Sequence, residues 1–285
     1  MSNFLTRTLT AVIGGIFMIA ILLLGGPVLL GVMSVISIIG YFELTRACKI
    51  HEESKAVNAM EIVGVISTVS WYAVIAAFQN NTTLMLAACL GVIIISLMLT
   101  MSVYVFTFPR FDAAQSMSNL FAFIYCPAMV SCIYLIRSLN LGIYLVWMIF
   151  VCSWACDIFA YLVGVKFGKH HFVPKLSPKK STEGAIGGVV GSCVVGAIYG
   201  FVVLAPQTGS SKAGFIVIVI AGLGSLLSMV GDLAASAIKR NHDIKDYGKL
   251  LPGHGGIMDR FDSVIFTAPI VYMLSLAFLM IMGIN

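Results

Sequence analysis

Apolar residues in this chain fall in long blocks separated by short polar connectors. A run of about 18 or more apolar residues is long enough to cross a bilayer as a helix. Nine runs qualify or come close, at residues 8–24, 27–42, 61–79, 83–106, 119–139, 141–163, 184–205, 213–233 and 263–283. The pattern predicts an all-α fold: a polytopic integral membrane helical bundle of about nine transmembrane helices. Only Gly25, Gly26 and Pro27 separate the first two runs, which leaves open a tight hairpin or one bent segment. Arg7 followed by an apolar run imitates a secretory signal. No convincing small-x-small cleavage site precedes the next run, so the first run is read as a retained span.

Composition strengthens this picture. Of 285 residues, 60% are hydrophobic and 10% charged, with mean hydropathy +1.02. Soluble domains sit nearer half apolar and a quarter charged. Nine spans place Arg7, Arg46, Lys49, Lys55, Arg110, Lys166, Lys169, Lys175, Lys179, Lys180, Lys239, Arg240, Lys245, Lys249 and Arg260 on one side. That is 15 of the 17 cations, with only Arg137 and Lys212 opposite. The cation-rich side is expected to be cytoplasmic, with the N-terminus inside and the C-terminus outside. Seven Cys are scattered without a CxxC pair. Cys152 and Cys156, four apart, read as small packing residues rather than a disulfide or zinc framework.

The two halves differ in character. Residues 1–140 read as N-terminal transmembrane helices, and residues 141–285 as a C-terminal catalytic transmembrane region with two basic cytoplasmic loops, within a single integral membrane unit. The polar connector 43–60 carries mixed charge (Glu43, Arg46, Lys49, Glu52, Glu53, Lys55) and reads as a solvated loop or short interfacial helix. The second half instead places Asp157 and Asp232 inside apolar runs. An ionised carboxylate there costs about 2.5–3.5 kcal/mol on insertion scales, so each is expected to have a cation, a metal or a water-filled cavity as partner.

Two connectors carry the candidate chemistry. In the first, Ser177-Pro178-Lys179-Lys180-Ser181 precedes a helix expected to begin near Glu183. Ser181, Thr182 or a neighbour can cap it, and a capped helix start flanked by lysines suits an anion. The second, residues 236–262, holds five cations, four carboxylates, two His and four Gly. Topology alone calls for cations there, not Asp243, Asp246, Asp259 and Asp262. Glycines around His254 let backbone approach a ligand closely. Asp259 and Asp262, three apart, share a helix face if the last span has begun. Carboxylates among lysines suit Mg2+, which takes oxygen ligands and bridges protein to phosphate. His254 reads as an acid/base, a metal ligand or a scaffold, and nothing nearby completes a zinc site. Phosphoryl or nucleotidyl transfer at the bilayer surface uses this combination of metal and cations, because positioning and charge neutralisation do most of its catalysis. No GxxxxGK[ST] loop is present.

These residues resemble a known family. Ser236-x-Ile238-Lys239-Arg240, then Lys245-Asp246, then Leu251-Pro252-x-His254-Gly255-Gly256-Ile257-x-Asp259-Arg260-Phe261-Asp262 is similar to the signature of the phosphatidate cytidylyltransferases. The likeness extends to Gly231-Asp232-Leu233, to Ser177-Pro178-Lys179-Lys180 and to Asp157 with Ala160 and Tyr161, and covers roughly residues 150–265. It implies that CTP and phosphatidate are converted to CDP-diacylglycerol and pyrophosphate with Mg2+. Whether a monovalent cation joins the Mg2+ is left open.

Carried over, Asp232 and Asp259 belong to the metal centre, with Asp246, Asp262 and Asp157 completing it or orienting cations. Lys239 and Asp246 join Asp232 and Asp259 as catalytic candidates. Lys179, Lys180, Ser177, Ser181, Arg240, Lys245, His254, Gly255, Gly256 and Arg260 are candidates for binding substrate. The resemblance further implies membrane lipids as partners, no nucleic acid, and the bacterial inner membrane as location; a homodimer is left open. One departure from the family pattern is that Ser181 stands where Thr is usual and Thr182 follows it, which keeps a hydroxyl but loses an aromatic. The alternatives are a cytidylyltransferase for another lipid phosphate, or an ion-coupled membrane transporter whose path Asp157 and Asp232 would line.

Overall fold

A computed structural model describes residues 3–51 and 57–284, with Asn3–Arg7 as backbone alone. Glu52, Glu53, Lys55 and the Arg7 side chain lie outside the described residues. The described residues form nine helical segments: α1 (Asn3–Leu24), α2 (Gly26–Ala47), α3 (Ala59–Phe78), α4 (Thr82–Phe106), α5 (Ala113–Arg137), α6 (Gly142–Phe167), α7 (Thr182–Thr208), α8 (Lys212–Asn241) and α9 (Met258–Met282). Eight are long and apolar enough to cross a membrane, and the described apolar part of α1, Thr8–Leu24, is shorter. Among the described residues the only β-pairing is an isolated bridge between Leu251 and Gly255.

Side-chain distribution is that of a protein in lipid. Ile62, Ile66 and Val69 on α3 and Leu86, Leu90 and Ile94 on α4 are exposed, whereas Ser37, Ser67, Thr68, Ser96, Thr100 and Asn119 are buried. Lipid tails leave no hydrophobic drive between helices, so small and hydrogen-bonding side chains face inward. The Tyr41 hydroxyl donates to Asn119 Oδ1 at 2.5 Å, Asn119 Nδ2 donates to Thr100 Oγ1 at 3.3 Å, and Ser96 donates to Ser67 at 2.6 Å. The protein is an integral membrane protein.

Helix ends depart from the hydropathy boundaries in a consistent way. The span read as 27–42 continues to Ala47, 213–233 continues to Asn241, and 263–283 starts at Met258. A helix can outrun its apolar segment because backbone pairing does not stop where charge begins. Lys239 and Arg240 therefore sit in the last turn of α8, and Asp259 in the first turn of α9, rather than in a loop. Between α1 and α2 the chain turns at Gly25 (φ 63°) and Gly26 (φ 52°), with Pro27 in the first turn of α2. Both glycines occupy the left-handed region, which breaks the helix there.

The chain divides into two compact units: Met1–Ser131 with Asn241–Arg260, and Cys132–Arg240 with Phe261–Asn285. In the first, Asn58 and Asp112 start α3 and α5 with capping boxes completed by Glu61 and Gln115. In the second, glycines let helices touch. A Cβ at Gly188 of α7 would lie 2.9 Å from the Cys156 carbonyl oxygen of α6, and one at Gly184 would lie 2.8 Å from that of Ala160. This stripe of small residues draws α7 against α6. A π turn at Val151–Ala155 precedes Asp157, a local register change often found near functional residues.

Candidate active site

The second unit gathers a cluster of acids and lysines. Asp157 lies on α6, Asp232 on α8 and Asp262 on α9. Gly231 lets α8 and α9 approach beside Asp232, since a Cβ there would sit 2.9 Å from the Asp262 carbonyl oxygen and 2.8 Å from Phe266 Cβ. Lys180 Nζ pairs with Asp232 Oδ2 at 2.5 Å, with 25% and 29% of the two side chains exposed. Asp157 feels the charges of Asp232 and Lys180, and Asp262 those of Asp232, Lys239 and Asp157. Three carboxylates and two lysines thus share one electrostatic neighbourhood.

A cavity of about 270 Å³ opens beside this cluster. Asp157, Ser177, Lys179, Lys180 and Ser181 line it together with Tyr161, Phe172 and Met229. Ser181 is the N-cap of α7 and accepts from the Gly184 N–H at 3.1 Å. The Thr182 N–H donates to the His170 carbonyl at 2.8 Å, so two of the first three amides of α7 are used within the chain. Glu183, in the first turn, accepts from the Lys169 and His170 N–H groups and meets His170 Nδ1 at 2.6 Å. The connector is thereby tied back onto the helix start. Lys179 and Lys180, more than the helix amides, are what the cavity offers an anion.

The oxygen donors fit a hard cation. Mutually repelling carboxylates are stabilised by a divalent ion, and Mg2+ usually takes one or two protein carboxylates plus substrate phosphates and water. Among the described residues no three His, Cys, Asp or Glu are grouped closely enough to hold a metal without other ligands.

The first unit holds a second, more polar cavity of about 380 Å³. Lys245, Asp246, Lys249, His254, Gly255 and Arg260 are among its lining residues. Gly253 (φ 75°) and Gly255 (φ 84°) take backbone conformations that favour glycine, and the Leu251–Gly255 bridge closes the turn between them. His254 Nδ1 is shielded from solvent and has no hydrogen-bond partner among the described residues. Beneath this turn Asp259, 6% exposed, accepts at Oδ2 from the Tyr247 N–H at 2.8 Å and the Gly256 N–H at 2.9 Å. Gly256 is needed because a side chain there would run into the Glu43 carboxylate.

Glu43 is the residue the sequence reading missed. It is 4% exposed, not solvated, and accepts from the Ile257 N–H at 3.0 Å and the Met258 N–H at 2.8 Å. Ending the second apolar run at residue 42 assigned it to a polar connector, although its helix runs to Ala47. Like Asp157 and Asp232, Glu43 is a carboxylate embedded in a long apolar helix, and that is its signal in the sequence. Lys249, Phe172 and Met229 were also not singled out. Lys239 reaches the acid cluster electrostatically, while Arg240 is exposed and lines neither cavity.

Fold and site together define a polytopic helical membrane protein with two cation-lined cavities, one of them beside an acid cluster. Residues 5–278 match the model of the cytidylyltransferase family, and the chain belongs to that family. It is 31% identical over 268 residues to a phosphatidate cytidylyltransferase of Staphylococcus aureus, covering 94% of this chain and 97% of the other. A phosphatidate cytidylyltransferase of Staphylococcus saprophyticus is 29% identical with the same coverage. One from Bacillus subtilis is 40% identical over 145 residues, 50% of this chain and 52% of that one.

Proposed function

We propose that this protein transfers the cytidylyl group of CTP to phosphatidate, releasing pyrophosphate and forming CDP-diacylglycerol. Within the structure the observation that carries this reading is the Lys180–Asp232 pair, flanked by Asp157 and Asp262, beside a cavity lined by Lys179 and Ser177. The near full-length match to proteins of that name supports it. The reaction needs no enzyme nucleophile. A phosphate oxygen of phosphatidate bonds to the α-phosphorus of CTP, the bond from that phosphorus to the bridging oxygen breaks, and the electron pair leaves with pyrophosphate. The protein's task is then to align two polyanions and offset their repulsion.

In this reading Lys179, Lys180 and Lys239 offset phosphate charge in the second unit, and Lys245, Lys249 and Arg260 do so in the first. One or two of Asp157, Asp232 and Asp262 would hold Mg2+, which when bound would supply charge neutralisation at the phosphates. Asp259 shapes the glycine turn, and Ser181 fixes the connector bearing the lysines. The cation-rich connectors face the cytoplasm, where CTP is available, and the membrane is the bacterial inner membrane.

The test is turnover by the purified protein in detergent with Mg2+ and phosphatidate, offering CTP, dCTP, ATP or GTP and measuring pyrophosphate and lipid product. CTP-dependent release of both is expected. Failure with phosphatidate but turnover of another lipid phosphate would move the substrate. Ion flux into liposomes without pyrophosphate release would overturn the enzyme reading.

A further inference from the structure

Two carboxylates take the three consecutive backbone donors that lead into α9. Asp259 takes the N–H of Gly256, and Glu43, from α2, takes the next two, of Ile257 and Met258. Asp259 also takes the Tyr247 N–H at the other end of the glycine segment. Cβ atoms at Gly248 and Gly256 would both collide with the Glu43 carboxylate, so the segment folds directly over it. Ordinarily a helix start with open amides attracts an anion. Here internal carboxylates occupy those amides and satisfy the helix dipole. Phosphate is left to the side chains around the turn: Lys245, Lys249, His254 and Arg260.

We propose that Glu43 is a positioning residue for the proposed reaction, holding the segment between Tyr247 and Met258 so that Lys249 and His254 within it and Lys245 and Arg260 beside it stand around one cavity. It does not touch the reacting atoms; it acts through the loop. Only the kinetic arm of the test depends on the cytidylyl-transfer reading. A carboxylate accepts from two amides at once, whereas the amide of Gln offers one acceptor oxygen and presents a donor in place of the other. A misplacement of about 1 Å in the groups that position a substrate can cost about 100-fold in rate.

The experiment measures amide exchange and steady-state kinetics on the full-length protein in detergent, for the unmutated chain, Glu43→Gln and Glu43→Asp. Glu61→Gln is the control. Glu61 is also a buried acid, but it serves Thr45, His51 and Asn58 instead of the loop. In the unmutated protein the Gly256, Ile257 and Met258 amides should exchange slowly. Rapid exchange there overturns the proposal without any variant, including the case where neither Glu43 variant folds. Glu43→Gln and Glu43→Asp should speed exchange at Ile257 and Met258 about tenfold or more, the effect of losing a hydrogen bond to a charged group. They should also lower kcat/KM, by up to about 100-fold, with KM for at least one substrate raised. Glu61→Gln should lower thermal stability and leave exchange at 256–258 unchanged. Unchanged exchange and kinetics in both Glu43 variants would overturn the proposal. If the unmutated protein shows no turnover of CTP and phosphatidate, the functional reading fails while the exchange data still decide the clamp.

Discussion

The acid cluster of α6, α8 and α9 and the glycine turn before α9 use the same residue type in opposite ways. In the cluster, Asp232 meets the side-chain cation of Lys180, and the pair is about a quarter exposed. In the turn, Asp259 and Glu43 are almost fully buried, and each accepts two backbone N–H groups. Carboxylates of the first kind keep charge where a metal or phosphate can reach it. Those of the second kind spend it on backbone amides and set the shape of a loop. The partner of an acid, more than its place in a motif, decides which task it performs.

Substitution to Asn separates the two tasks. Asp232→Asn should lower kcat by about 10²–10³-fold, the scale for removing a group that stabilises developing charge. Its melting temperature in detergent should stay near that of the unmutated protein, because partly exposed ion pairs contribute little to stability. Asp259→Asn should instead lose about 1.5–3 kcal/mol of stability, the range for buried hydrogen bonds to a charged group, with activity falling alongside. Equal destabilisation by the two variants in thermal unfolding would erase the distinction.

Smaller effects sharpen the contrast. Ser181→Ala removes the N-cap of α7 and should cost about 1 kcal/mol, read as a lower unfolding temperature. Lys249→Ala, at an exposed position on the second cavity, should change KM by about fivefold at most. That change should shrink as salt is raised, because exposed charges are screened. A salt-independent effect would mean that Lys249 is desolvated by substrate.

Much of this molecule was legible beforehand. The nine apolar runs correspond to α1–α9, and residue chemistry placed Glu183 in the first turn of α7 and left Ser181, Thr182 or a neighbour as its cap, of which the structure uses Ser181. The motif residues Lys179, Lys180 and Asp157 do line one cavity, and Lys245, Asp246, His254 and Arg260 another. Helix ends were misjudged where charge begins, at Ala47, Asn241 and Met258, because hydropathy measures lipid compatibility while helices end where backbone pairing ends.

By itself, then, the sequence determined the membrane-spanning all-α class, the concentration of polar chemistry in two connectors and the family signature. These follow from period, composition and spacing, which are local properties of a chain. Only the tertiary structure decided that Lys180 pairs with Asp232, that Asp157, Asp232 and Asp262 share one field, and that Glu43 closes on amides more than 200 positions away. Hydrogen bonds and ion pairs act over a few ångströms in space, and no spacing along the chain encodes which distant groups will meet there.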